Sequence, residues 1–300
     1  MRSATARRDF VKRIGIITVG ASVFPFRGLL GKSSGKAKGK LLYFTRSAGF
    51  EHSVVRRKGD KLAFSERILT QLGKKHGFEV VCTKDGRVFD EDLSKFSAIA
   101  FYTTGDLTKP NKRGTPPMSP EGKKRLLAAV RAGKGFVGFH SATDSFHSKG
   151  PRNKNQERPD PYIQMLGGEF IVHGRQQVAK VKVVSPDFPG TKGFGKELAL
   201  REEWYALKNF AKDLHVILVQ ETGGMQGKMY ERPPYPQTWA HMYGKGRVFY
   251  TSFGHREDIW MNPVVQDLIV GGIWWAMCRV DADVTPNVEK VTPGAWTLPV

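Results

Sequence analysis

The chain is poor in the residues that make redox, zinc-finger or membrane assignments easy. Only two of its 300 residues are cysteine, Cys82 and Cys278, and no CxxC or Cys/His zinc spacing occurs. A disulfide-stapled or small zinc fold is excluded on that count. Both cysteines sit in apolar runs, FEVVC and IWWAMC, which predicts buried free thiols. Eight histidines are present, yet no HxxxH or HxH pair fixes two ligands on one element. The apolar run Ile14–Phe26 is too short and interrupted to span a bilayer stably, and so is the stretch through Val264 and Trp275. No internal repeat is visible. Acidic residues are scarce, 28 against 48 Lys and Arg, for a net charge of +20. Nine of those twenty charges fall within residues 1–40. The remaining lysines are scattered, often beside glycine, and lack the clustered basic face with interleaved aromatics that a nucleic-acid partner needs. No nucleic-acid partner is expected.

What is present begins with an address. Arg7-Arg8-Asp9-Phe10-Val11-Lys12 precedes a weakly apolar run, the order of an export signal. The paired arginines resemble a twin-arginine signal over residues 1–30, which implies the export machinery as a partner and a periplasmic or exported protein. No small-x-small cleavage site stands out, so retention as an anchor stays open. Residues 31–40, GKSSGKAKGK, read as a flexible linker. The domain proper is expected over 41–281, with a Pro-rich tail over 282–300 wrapping the surface.

Within the domain, short apolar strands alternate with helical patterns. Strands are predicted at Leu41–Thr45, Phe78–Cys82, Ser97–Thr103 and Lys134–Phe139. A helix over 60–76 stops at Gly77, and a second starts at Ser119-Pro120, a cap followed by a first-turn proline. This βα alternation is that of a doubly wound, mostly parallel sheet. The second half differs. A short helix, Tyr162–Leu166, ends at Gly167-Gly168, and strands follow at Val178–Val184 and Leu214–Gln220. Gln237–Tyr243 and Arg247–Phe253 form a hairpin across Gly244-Lys245-Gly246. Asn262-Pro263 opens a last helix.

The organising stretch is Lys134-Gly-Phe-Val-Gly-Phe-His140-Ser-Ala-Thr-Asp144. A strand buried on both faces stops abruptly at a histidine, so a sharp turn there lifts His140 out of the sheet. His52 and His255 also follow strands, and His241 lies within one. Side chains from several strand exits meeting at one edge build the usual α/β site. His140 and His255 are the expected acid–base pair, with Glu203 and Asp144 as orienting carboxylates. His52, Trp204, Tyr205, Trp239 and His241 are expected to line the pocket. His140, His241, His255 and Glu203 could instead ligate a divalent metal. His76 and His215 fit plain structural roles, and His147 and His173, placed in loops, fit either.

The segments GFEHS, GKGFVGFHSATDSF, LGGEF with His173 after it, EEWY and TWAHMYGKGRVFYTSFGH, in this order, resemble the trehalose-utilisation (ThuA-like) family. The resemblance implies a flavodoxin-like, class I glutamine amidotransferase-like three-layer α/β sandwich, and carbohydrate chemistry on disaccharides or their 3-keto forms. In the amidotransferases a cysteine nucleophile stands at the elbow within G-x-C-x-G. Here Gly138-Phe139-His140-Ser141-Ala142 takes that place, and His255-Arg256-Glu257 echoes the later His-x-Glu. An imidazole cannot form the glutamyl thioester, so the scaffold is implied without that reaction. The expected function is acid–base processing of a small carbohydrate. The alternative is a non-catalytic carbohydrate-binding module that leans on Trp239.

Overall fold

Every second residue of the first strand faces the same way, and the two sets enter two different cores. The computed structural model describes residues 39–299. The twin-arginine motif, the apolar run after it and nearly all of the linker lie outside the described residues. Strand β1 (Lys40–Phe44) sends Leu41 and Tyr43 into one apolar cluster and Leu42 and Phe44 into the other. That period of two, buried on both sides, is what a central strand of a covered parallel sheet requires.

The remaining strands are β2 (Glu79–Thr83), β3 (Ala98–Phe101), β4 (Gly135–Phe139), β5 (Glu169–His173), β6 (Gln177–Val183), β7 (Glu197–Glu202), β8 (Tyr205–Lys208), β9 (His215–Gln220), β10 (Tyr235–Tyr243) and β11 (Gly246–Thr251). Nine of the eleven strands form one sheet in the order β2-β1-β3-β4-β11-β10-β9-β6-β7. The first five are mutually parallel, and from β11 onward each pairing is antiparallel. Strands β5 and β8 pair separately as a two-stranded antiparallel ribbon.

Helices cover both faces. α1 (Phe64–His76), the short α4 (Glu257–Met261) and α5 (Pro263–Ala276) pack Leu69, Leu72, Ile259, Leu268 and Ile273 on one side. α2 (Pro120–Arg131) and α3 (Pro161–Leu166) pack Leu126, Val130, Ile163 and Leu166 on the other. Each such side chain contributes about 1.5–3 kcal/mol of transfer free energy. The caps follow the sequence. Ser119 accepts from the Gly122 amide at 2.8 Å, and Asn262 from Val264 at 3.0 Å, each just before a first-turn proline. This is the α/β, flavodoxin-like sandwich expected, its mostly parallel centre extended by an antiparallel wing.

Three expectations are corrected. Cys278 is exposed rather than buried, because α5 has already ended and the chain turns left-handed there (φ 56°). Cys82 is only half-buried, and burial pushes its thiol up to about 12. His173 ends strand β5 instead of lying in a loop. The C-terminal residues also do more than coat the surface. Asn287 Oδ1 accepts from the Val216 amide at 2.6 Å, and Val288 and Ala295 are fully buried. Among the described residues no helix is long and apolar enough to cross a membrane.

Candidate functional site

The order β2-β1-β3-β4 places a topological switch point between β1 and β3, where one connection leaves to each side. Open α/β sheets bind ligands in the crevice outside the carboxyl ends of the strands at such a point. The exits there carry the histidines. His52 follows β1, His140 follows β4 and His255 follows β11. Tyr102, just past β3, lies between the first two, with ring centroids 5.5 Å from His52 and 5.8 Å from His140.

His140 is held by strain and by one directed bond. It adopts φ +42° at the strand-to-turn junction, a left-handed conformation uncommon for a side-chain-bearing residue. The tight turn His140–Asp144 that follows lifts its ring off the sheet end. Gly138 leaves room for this geometry, since a Cβ there would stand 2.8 Å from Leu166 Cδ1 and 2.9 Å from the Tyr250 ring. Gly254, at φ +135°, turns the chain from β11 toward His255. His140 Nδ1 lies 2.8 Å from the Ser252 carbonyl oxygen. A carbonyl only accepts, so Nδ1 carries the hydrogen and Nε2 presents a lone pair.

That lone pair faces Glu203, which sits in the link between β7 and β8. Glu203 Oε2 is 2.9 Å from His255 Nδ1, 3.4 Å from His140 Nε2 and 3.8 Å from His52 Nε2. Its other oxygen, Oε1, is 3.4 Å from His173 Nδ1. Tyr205 packs tilted against His140 at 4.1 Å between centroids, and its hydroxyl lies 3.3 Å from His52 Nε2. His140 Nε2, His255 Nδ1, His52 Nδ1 and Glu203 Oε2 are all buried without a hydrogen-bond partner. Desolvation pushes the His140 imidazole down to about 3 and lowers His52 in the same direction. Burial would raise Glu203, but the surrounding imidazoles outweigh it and hold the carboxyl well below its ordinary range. Next door, burial raises Glu202 well above that range, although its Oε1 accepts from the His255 amide at 2.9 Å.

Of the residues singled out from sequence, the structure brings together His52, His140, Glu203, His255 and Tyr205. The others stand apart. Asp144 does not orient His140. Its Oδ1 lies 2.7 Å from His147 Nε2, and the Ser252 carbonyl takes the orienting part. Trp204 is buried, with its indole nitrogen donating to the Gln177 carbonyl at 2.8 Å. Trp239 and His241 lie on one face of β10 beneath α3, giving their ring nitrogens to the carbonyls of Leu166 and Met165, each at 2.8 Å. They pack the core and line no opening. The metal set therefore loses His241 and gains His52. His215, bonded to Ser185 and the Thr285 carbonyl, fits a structural role.

One residue was missed, and another had been left open between a functional and a structural role. Phe50, 67% exposed, stands edge-to-face with His52 at 5.0 Å. His173, 42% exposed, is the most open imidazole on Glu203. Both lie inside the quoted segments, but nothing in their spacing marks them. A depression of about 400 Å³ opens beside His255, lined by Ser53, Gln176, Arg256, Glu257 and Asp258. A larger cleft of about 710 Å³ lies instead against Phe146, His147 and Lys123. The convergence of orphaned buried polar atoms, rather than volume, locates the site.

A parallel half-sheet in this order, a strained elbow and a polar cluster at its carboxyl edge define a flavodoxin-like α/β sandwich protein with a histidine-rich site. The chain belongs to the ThuA, trehalose-utilisation, family, whose profile it matches over residues 40–276. A ThuA-like protein from Bacteroides uniformis superposes with a TM-score of 0.58 at 19% identity, over 83% of this chain and 95% of that one. One from Parabacteroides merdae does so with a TM-score of 0.57 at 19% identity, over 87% and 96%. Comparison with curated proteins finds no match.

Proposed function

We propose that the chain is an exported carbohydrate-processing enzyme that performs acid–base chemistry on a disaccharide or its 3-keto form at the Glu203 cluster. The observation that carries this reading is the meeting of three strand-exit imidazoles on one buried carboxylate, with His140 Nε2, His255 Nδ1 and Glu203 Oε2 left unpartnered. Such atoms are costly to bury unless something completes them. Phe50, exposed and edge-to-face with His52, offers an apolar face of the kind that lines small-molecule sites.

In a 3-keto glycoside the hydrogen on C2 is acidified by the neighbouring carbonyl. An imidazole base at His140 or His255 takes that proton, and the C2–H electron pair passes into an enolate on the keto oxygen. Collapse of the enolate then breaks the C1–O bond, and the departing oxygen takes a proton from the conjugate acid. Glu203 stabilises the imidazolium that forms between the two steps. Export rests on the twin-arginine motif and is tested separately, by locating the protein in cell fractions with Arg7 and Arg8 intact or replaced by lysine.

The test of the chemistry is incubation with 3-keto-trehalose and related 3-keto glycosides, following loss of substrate by chromatography. Turnover by the wild type that His140→Ala abolishes is the expected result. No turnover of any such substrate by the wild type sinks the reading.

A further inference from the structure

We infer that His52, His140, His255 and Glu203 form a binding site for one divalent transition-metal ion of the zinc class. One ligand atom from each of the four lies within 4.8 Å of the other three, the only such group among the described residues. The separations from Glu203 Oε2, 2.9, 3.4 and 3.8 Å, bracket the spacing of donors around one ion. Tetrahedral bonds of about 2.0–2.1 Å put neighbouring donors about 3.4 Å apart.

The hydrogen positions point the same way. With Nδ1 committed to the Ser252 carbonyl, His140 aims a lone pair at a carboxylate oxygen in a fully buried place. Two electron-rich atoms facing one another at 3.4 Å out of water repel unless a cation lies between them. Among the described residues every ion-pair contact of Glu203 is to histidine, so no lysine or arginine supplies that charge. A ligating imidazole that donates its other N–H to a backbone carbonyl is the usual supporting arrangement at metal centres. The donor chemistry selects the metal. Three imidazoles and one carboxylate, without thiolate, suit zinc, cobalt, nickel, iron(II) or copper, whereas magnesium and calcium take oxygen.

The site owes its functional meaning to the proposed reaction but not its geometry. A bound ion there would polarise a keto oxygen as a Lewis acid. It would also turn His140 and His255 from free bases into ligands, leaving His173 as the imidazole outside the ligand set, 3.4 Å from the second Glu203 oxygen.

The experiment uses the full chain, purified without a histidine tag and stripped with chelator. Cobalt(II) is titrated in by visible absorption, and zinc(II) by equilibrium dialysis and by thermal melting with and without the ion. One equivalent per chain, new d–d bands and a raised melting temperature are expected. Glu203→Gln and His140→Ala should each weaken binding about 100-fold or more, while His147→Ala leaves it unchanged. Absence of stoichiometric binding by the wild type to each of zinc, cobalt, nickel, iron(II) and copper overturns the inference, whether or not the variants fold. Binding left undiminished in a folded Glu203→Gln protein does so as well. Metal bound with no turnover of 3-keto glycosides refutes the proposed reaction alone. Turnover by the wild type that binds no metal refutes the metal site alone.

Discussion

Two histidine–carboxylate clusters stand at opposite ends of the same five-residue turn, and they are built in opposite ways. At its start, His140 joins His52 and His255 around a single carboxylate, Glu203. At its end, Asp144 joins Glu169 around a single imidazole, His147, at 2.7 and 3.1 Å. In the second cluster Glu169 is answered repeatedly, by the Ser148 amide and hydroxyl, by Asn209 at 2.7 Å and by Lys208 at 3.8 Å. In the first, His140 Nε2, His255 Nδ1 and Glu203 Oε2 are answered by nothing. Burial pushes His140 down, whereas burial at His147 is outweighed by its two carboxylates, so that imidazole is raised. The closed cluster is complete within the chain and holds the fold together. The open one is complete only with something the chain does not supply, which is the mark of a site.

The sharpest way to break this contrast is to neutralise each carboxylate in turn. Glu203→Gln should lower turnover by about 10²–10⁴-fold. In metal-free protein it should also cost about 1 kcal/mol of stability at neutral pH, because the imidazoles that outweigh burial and hold the carboxyl below its ordinary range lose the charge they face. Turnover assays and urea denaturation of the same preparation read both effects. If the variant instead unfolds while its residual activity per folded molecule is normal, Glu203 belongs with the structural cluster.

Glu169→Gln should do the reverse. Its carboxylate takes five hydrogen bonds or ion pairs in the closed cluster, and losing the charge should cost about 2–3 kcal/mol. Activity per folded molecule should move little. A stability loss below the scatter of the denaturation curves would show that the closed cluster is ornamental.

The pH dependence of that loss follows from the two shifts. His147, Ser148, Lys208 and Asn209 overcome burial and hold Glu169 down to about 2. Its contribution is therefore present above the ordinary carboxylate value of about 4.5 and fades as pH falls toward 2. His147 is raised, so its contribution is complete below the ordinary imidazole value of about 6.5 and is lost as pH rises through the elevated one. The melting-temperature gap between wild type and Glu169→Gln should accordingly be widest between about pH 4.5 and 6.5. A gap that widens steadily above pH 8 would contradict the assignment.

Much of this was legible in the sequence, and the reasons differ by residue. The strand GFVGF is buried on both faces, so its apolar run needed no periodicity to be seen, and the abrupt polar exit marked His140. Ser119-Pro120 and Asn262-Pro263 announce helix starts through local hydrogen bonding, which tertiary context did not override. Trp239 and His241 show where sequence reading stops. β10 is buried along Tyr235–His241, so no alternation reveals which face meets the sheet edge and which meets α3. Asp144 was paired with the wrong imidazole because His147, three residues on, folds back onto it, a contact set by the turn rather than by spacing. Glu203 reaches the cluster from the antiparallel wing, and only the link between β7 and β8 in three dimensions places it there.

The smallest expected effect concerns Phe50, which separates the open cluster from the closed one by access rather than charge. It is two-thirds exposed and rests edge-to-face against His52. An aromatic contact of this kind contributes about 0.5–1.5 kcal/mol, so Phe50→Ala should raise KM for a glycoside several-fold. Because the ring buries little surface in the fold, the melting temperature should stay unchanged. The proton chemistry lies deeper, so kcat should fall less than KM rises. A variant with unaltered KM would mean that substrate enters past His255 and Arg256 instead, along the depression on the other side of the cluster.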